Sequence, residues 1–200
     1  CAVTKGIPAE PDYTEPERVA QAVSELKLKY IVITSVTRDD IPDGGASVFA
    51  ETCRQISLLN PDSRIELLVP DFRNSLEQSL SVLLKEKIHI LNHNIETVKD
   101  FFTLLRPSGD YDNSLRLIKL ANEMGLTVKS GMMIGFGETI DQIKSSLETL
   151  INAGCSIVTV GQYLQPGKEF FDVVKYYHPD EFDEIKEYAI NIGFKKALCG

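Results

Sequence analysis

The residues in this 200-residue sequence that could do chemistry recur at one kind of place, at or just after short apolar runs. Beside residues 30–36 stand Ser35, Thr37, Arg38, Asp39 and Asp40, then Asp43-Gly44-Gly45. Residues 64–70 lead into Asp71-Phe72-Arg73, and residues 88–92 into Asn92, His93, Asn94 and Glu96. Lys129 and Ser130 lie inside the run 127–134, with Gly135-Phe136-Gly137-Glu138 directly beyond it. Residues 156–160 are followed by Gly161, Gln162, Tyr163, Leu164, Gln165 and Pro166. Any one of these patches reads as a turn or a helix cap. Five at one rim read as a site.

Each patch suggests a chemistry. Asp43-Gly44-Gly45 is either a turn before a helix or exposed backbone that a ligand's polar groups can approach. Alternation sends Asn92 and Asn94 to the same side of a strand, where two amides suit hydroxyl groups. Lys129 within an apolar run needs an anion, supplied either by a ligand or by a structural carboxylate. Gly135 to Glu138, beside a helix start, could receive an anion, but it lacks the full spacing of a dinucleotide fingerprint. His93 has no metal-ligand partner at useful spacing and reads as a hydrogen-bonded core residue. Arg73 and Arg106 are candidate cations for a carboxylate.

Positioning these residues requires strands, and the runs are rich in β-branched residues, as strands buried on both faces are. A sixth run covers residues 194–199. Helical patterns alternate with them. Capping boxes are expected at Thr14, Ser75 and Thr139, with Asp112 capping a further helix and Pro179 opening the last. Strict alternation predicts one α/β domain over residues 1–200 with a parallel sheet, either doubly wound or barrel-like.

Composition narrows the function. Lys and Arg total 21 against 29 Asp and Glu, a net charge of -8. That excludes nucleic acid as a bulk partner, and no run is long enough to span a bilayer. The four cysteines, Cys1, Cys53, Cys155 and Cys199, are scattered and do not form a disulfide framework, which points to a reducing compartment. Cys53, Cys155 and Cys199 read as small buried residues. A start at Cys1 and a stop at Gly200 raise the expectation that both ends are cut.

Several stretches together resemble the lipoyl synthase family of radical S-adenosylmethionine (SAM) enzymes. They are residues 30–40, 43–46, 66–73, 92–97, 128–138, 161–166 and 179–182, in the family's order and over nearly the whole chain. The resemblance implies a partial (β/α)6-type radical SAM barrel of parallel strands that lacks the first strand. Cys1 resembles the third cysteine of the family's C-x-x-x-C-x-x-C loop, whose thiolates hold a [4Fe–4S] cluster with one iron open to SAM. Asp43, Gly44 and Gly45 would approach the SAM amino group. Asn92, Asn94, Glu96, Lys129 and Ser130 would line the ribose and carboxylate region, with Gln162, Tyr163 and Leu164 against the adenine. The family's reaction inserts two sulfur atoms at C6 and C8 of a protein-bound octanoyl group. A SAM-derived radical abstracts hydrogen there, and a second [4Fe–4S] cluster is consumed as sulfur donor.

Implied partners are octanoylated lipoyl carrier domains or proteins and an electron donor such as a ferredoxin or flavodoxin, with no nucleic acid and no membrane. Implied locations are the cytoplasm of a bacterium or the mitochondrion or plastid of a eukaryote. With a single loop cysteine, these residues alone are expected to be inactive. The alternatives are another radical SAM sulfur-inserting enzyme, a non-catalytic barrel that binds a small metabolite, and a hydrolytic barrel using Asp39, Asp40 and Glu96.

Overall fold

The six apolar runs form six strands. The computed structural model describes Gly6 and residues 8–200; Cys1, expected as a cluster ligand, lies outside the described residues. The elements in chain order are α1 (Glu15–Glu25), β1 (Tyr30–Thr34), α2 (Ala46–Leu59), β2 (Arg64–Leu68), α3 (Leu76–Leu83), β3 (Ile90–Asn92), α4 (Lys99–Leu105), α5 (Tyr111–Glu123), β4 (Val128–Ile134), α6 (Ile140–Asn152), β5 (Ile157–Gln162), α7 (Pro179–Asn191) and β6 (Lys196–Cys199).

All pairings are parallel, and the spatial order β1-β2-β3-β4-β5-β6 equals the chain order. A doubly wound sheet needs a point where strand order reverses. None occurs here, so crossovers of one hand lay every helix on the same face. The sheet is an open barrel wall: among the described residues β1 and β6 do not pair with each other.

Register then sorts the side chains. Ile31, Ile65, Leu67, Leu91, Val128, Met132, Val158, Val160 and Ala197 all point to the helices and join one buried cluster with Ala20, Val23, Phe49, Leu80, Leu117, Ile143, Leu147 and Ile185. The alternate positions, including Val32, Glu66, Asn92, Lys129, Gly131, Thr159 and Leu198, form the opposite, inner face.

The helix starts follow expectation in part. Thr139 caps α6 with the full reciprocal box, its hydroxyl accepting from Gln142 N while Gln142 Oε1 accepts from Thr139 N. Thr14 precedes α1 but makes no such cap; its hydroxyl and amide both donate to Asp12. Ser75 precedes α3 and spends its hydroxyl on Ser79, 2.9 Å away. The cap of α5 is Asp110, accepting from Asn113 N, and not Asp112. α4, of seven residues, has no counterpart among the expected helices.

The turn into α2 explains two of its glycines. Gly44 (φ +61°) and Gly45 (φ +86°) are buried in left-handed conformations. A Cβ on Gly44 would lie 2.7 Å from the Phe72 ring, whereas one on Gly45 would meet nothing nearer than Arg38 Cβ at 3.8 Å. Both substitutions to alanine strain the backbone, but only the first also displaces a buried ring. Gly44→Ala is expected to cost about 2–3 kcal/mol and Gly45→Ala about 1 kcal/mol of unfolding free energy, read from urea midpoints. Equal losses would show that packing against Phe72 is not what fixes the turn.

Candidate functional site

Strand alternation brings an acidic side chain into the middle of the inner face. Glu66, on β2, is 1% exposed. Its carboxylate accepts from Lys129 Nζ on β4 at 2.8 Å, from Asn92 Nδ2 on β3 at 2.8 Å and from the Tyr30 hydroxyl on β1. Burial alone would raise its pKa, but the donors from Lys129, Tyr30 and Asn92 outweigh it and hold the carboxyl below the ordinary range. Burial, and then the same contact with Glu66, push the Tyr30 phenol up to about 12. Lys129 is therefore half of a structural ion pair, one of its two expected readings. Glu66 went unmarked as a site residue, although an acid inside an otherwise apolar strand was the available signal.

Ser130 corrects the expectation for its position. It follows Lys129 in the same strand, so it points to the helices, where it is fully buried with a hydroxyl that lacks a hydrogen-bond partner. It does not share a surface with Lys129. Asn92 and Asn94 do share the inner face. Because a carboxylate only accepts, Glu66 takes the Asn92 amide NH2, and Asn92 Oδ1 is left buried without a partner. Asn94 Oδ1 is likewise unpartnered. Asn94 and Glu96 line a cleft of about 510 Å3 with Gly131, Met133, Thr159 and Leu198. Glu96 enters it from a left-handed backbone (φ +67°), pinned to β4 by Glu96 N donating to Gly131 O and Met133 N donating to Glu96 O. That conformation costs a non-glycine residue about 1 kcal/mol, a strain typical of sites.

Other expected residues prove to be self-satisfied. Asp43 accepts from Gly45 N and Ser47 N; burial opposes its ionisation, but these bonds lower its pKa. Gly44 and Gly45 are buried and offer no exposed backbone surface, contrary to expectation. The Gly135 and Phe136 amides are occupied by the Glu138 carboxylate at 2.7 and 2.9 Å, which removes the anion site expected there. Gln162 donates to Tyr163 O and Lys175 O and accepts from Tyr177 N, so its amide closes the following loop and is not free for an adenine. Tyr163 stacks on Phe136 with centroids 4.3 Å apart and gives its hydroxyl to Phe171 O. Leu164 is exposed.

A second polar cluster lies on the helix side. His93 is buried as expected, within hydrogen-bond reach of Val69 O and Ser114 Oγ and 3.3 Å from Asp71. Arg106 also pairs with Asp71, at 3.1 Å, so it is not a free cation; Arg73 is exposed. Burial would raise the Asp71 pKa, but His93, Arg106 and Arg73 lower it on balance. Asp40 is tied to Arg38 on the surface, which leaves little for a hydrolytic pair.

The donor set can be tested against two groups. A ligand bearing hydroxyls or amines fits the inner face, where Asn92 Oδ1 and Asn94 Oδ1 are buried without donors. An iron–sulfur cluster does not fit the described residues. No group of three or more His, Cys, Asp or Glu among them could hold a metal. Burial pushes the thiols of Cys53 and Cys155 up to about 12 and that of Cys199 to about 11, far from the thiolate a cluster needs.

Residues 1–150 match the radical SAM superfamily. The chain is 45% identical over 200 residues to the lipoyl synthase of Caldicellulosiruptor saccharolyticus, covering 99% of this chain and 70% of that protein. It is 44% identical to the lipoyl synthase of Mycolicibacterium smegmatis, covering 100% and 63%. The chain thus spans about two thirds of the length of such relatives. Among solved structures, methylornithine synthase (PylB) superposes with a TM-score of 0.70 at 13% identity, over 97% of this chain and 64% of that one. Streptococcus suis SuiB bound to S-adenosylmethionine gives 0.68 at 12% identity, over 98% and 44%.

The Glu66 ion pair yields a stability prediction. Lys129→Met leaves a buried carboxylate without its cation and is expected to cost about 3 kcal/mol, whereas Glu66→Gln/Lys129→Met costs about 1 kcal/mol. Both carboxylates that anchor clusters have depressed pKa values in the fold. Their contribution is therefore present above the ordinary values of 4.5 for Glu66 and 3.8 for Asp71, and is lost as pH falls below them through the depressed values. Urea unfolding of wild type and both variants between pH 3 and pH 7 checks this. Equal losses in the single and double variants would remove the ion pair from the account.

Proposed function

This chain belongs to the lipoyl synthase family of the radical SAM superfamily, and on that premise we propose that it is the S-adenosylmethionine-binding core of a sulfurtransferase that makes the lipoyl group. The reaction is the insertion of two sulfur atoms at C6 and C8 of an octanoyl group carried on a protein. The observation that carries this reading is the whole-chain similarity to lipoyl synthases, joined to an inner sheet face whose buried oxygens lack donors.

S-adenosylmethionine at a reduced cluster supplies hydrogen-atom abstraction from an unactivated carbon, and the residues here serve to hold and orient it. Asn94 and Glu96 would accept from hydroxyls at the cleft, and Asn92 Oδ1 would accept from a donor along the same wall. Lys129, neutralised by Glu66, would offer its remaining N–H groups to a carboxylate without adding net charge to the wall. Phe136 and Tyr163, both buried and packed ring on ring at a tilt, brace the loops beyond β4 and β5. Among the described residues β1 and β6 do not pair, so these groups would be shielded from water only with ligand in the cleft.

The clusters would be held by residues outside the described ones. Cys1 is the one thiol of this chain in the position of a loop cysteine, and two further thiolates would complete its cluster; a second cluster would serve as sulfur donor. The substrate would arrive on an octanoylated lipoyl carrier domain, with electrons from a ferredoxin or flavodoxin. The same reading carries a bacterial cytoplasmic or a mitochondrial or plastid location.

Anaerobic assay of the cluster-loaded, full-length protein tests it. With S-adenosylmethionine, reductant and an octanoylated carrier, the carrier is expected to gain the mass of two sulfur atoms while 5′-deoxyadenosine accumulates. Deoxyadenosine without sulfur in the product would move the chain to a different radical reaction. Residues 1–200 alone, reconstituted with iron and sulfide, are expected to give no stoichiometric 4Fe–4S absorbance. A full cluster spectrum from them would refute the assignment of ligands to other residues.

A further inference from the structure

The cleft contains a polar group of side chains that the expected site residues explain only in part. Gly131 sits on the inner face of β4, in register with Thr159 of β5. A Cβ at Gly131 would lie 2.6 Å from Thr159 Oγ1 and 2.8 Å from Asn94 Oδ1. β5 and the segment after β3 thus place two side-chain oxygens around a β4 position that must carry no side chain. The backbone at Gly131 has no positive φ, so the requirement for glycine is one of space, not of conformation.

The hydrogen bonds of this group are unbalanced. Thr159 directs its hydroxyl proton to Ser130 O at 3.4 Å, leaving its lone pairs toward the cleft. Asn94 Oδ1 is buried and has no donor. Glu96, lining the same cleft, adds a carboxylate. Three acceptor groups line one cleft, and of these Asn94 Oδ1 has no donor within the protein. A buried acceptor left unpaired costs about 1–3 kcal/mol, so a ligand that brings hydroxyl groups recovers more than the energy of ordinary surface hydrogen bonds.

We propose that Thr159 is a ligand-contacting residue that, with Asn94 across Gly131, receives a ribose hydroxyl of the bound nucleoside. The assignment rests on the reading of the chain as a SAM-binding core and adds to it a residue on β5, a strand that the sequence offered only as a carrier for the loop after it. Gly131 is what lets the two oxygens approach each other across β4: a methyl group there would displace both.

Equilibrium binding of S-adenosylhomocysteine to the cluster-loaded, full-length protein tests this. Thr159→Val keeps the shape and removes the oxygen, and is expected to weaken binding about tenfold, the effect of one well-placed hydrogen bond. Thr159→Ser is expected to bind within about threefold of wild type. Thermal midpoints of both variants should stay close to wild type, because Thr159→Val is isosteric, Thr159→Ser removes one methyl, and the site is half-exposed. Analogues lacking the 2′- or the 3′-hydroxyl complete the cycle: for one of them, wild type and Thr159→Val should bind alike. If Thr159→Val does not fold, Thr159→Ala takes its place with the same expected loss. Wild-type affinity in Thr159→Val or its alanine replacement, failure of Thr159→Ser to restore binding, or a full Thr159→Val loss with both deoxy analogues would overturn the assignment. No binding of S-adenosylhomocysteine by wild type would overturn the SAM reading itself, and this assignment with it.

Discussion

A strand in a parallel sheet can bury only every second side chain against one layer of helices, and this fold has one layer. Because strand order equals chain order, the helices between strands cover one face, and α1 joins the same core through Ala20 and Val23. Every apolar residue needed for the core is drawn to that side. What is left for the other side must be stable without a helical cover, and here it is held by one carboxylate. Glu66 links β1, β3 and β4 through Tyr30, Asn92 and Lys129. The division between core and ligand wall, and the direction in which each polar group faces, follow from that constraint.

The strands were legible because their signal is local. Runs of β-branched residues located all six, with boundaries shifted by a few residues. The sheet order was not legible: alternation of strands and helices permits both a reversal and a monotonic order. Caps were legible only where nothing nearby competed. Thr139 has no rival partner and makes its box, whereas Thr14 is taken by Asp12 and Ser75 by Ser79. The α5 cap moved from Asp112 to Asp110 because both are good caps and spacing alone does not choose between them.

The site shows the same pattern. That Asn92 and Asn94 share a face was readable from period two, and the same rule applied to Lys129 and Ser130 would have separated them. The partner of Lys129 was not readable, since it lies 63 residues away. Gln162 and Glu138 look like free polar groups in sequence, yet Glu138 folds back on backbone two and three residues before it, Gln162 binds backbone 13 and 15 residues on, and together with Tyr177 they close the loop beyond β5. A polar residue at a strand end therefore marks the rim reliably, but whether it serves the ligand or the loop depends on contacts that only the fold creates.

The central claim is that ligand chemistry is confined to the inner face at the ends of β3, β4 and β5, while the helix face is core. Hydrogen–deuterium exchange on the cluster-loaded, full-length protein, with and without S-adenosylmethionine, tests it most directly. Slower exchange on ligand binding is predicted in residues 92–97, 130–136 and 158–164, with α1, α2 and α7 unchanged. Protection centred on the helices, or spread evenly over the sheet, would contradict the account.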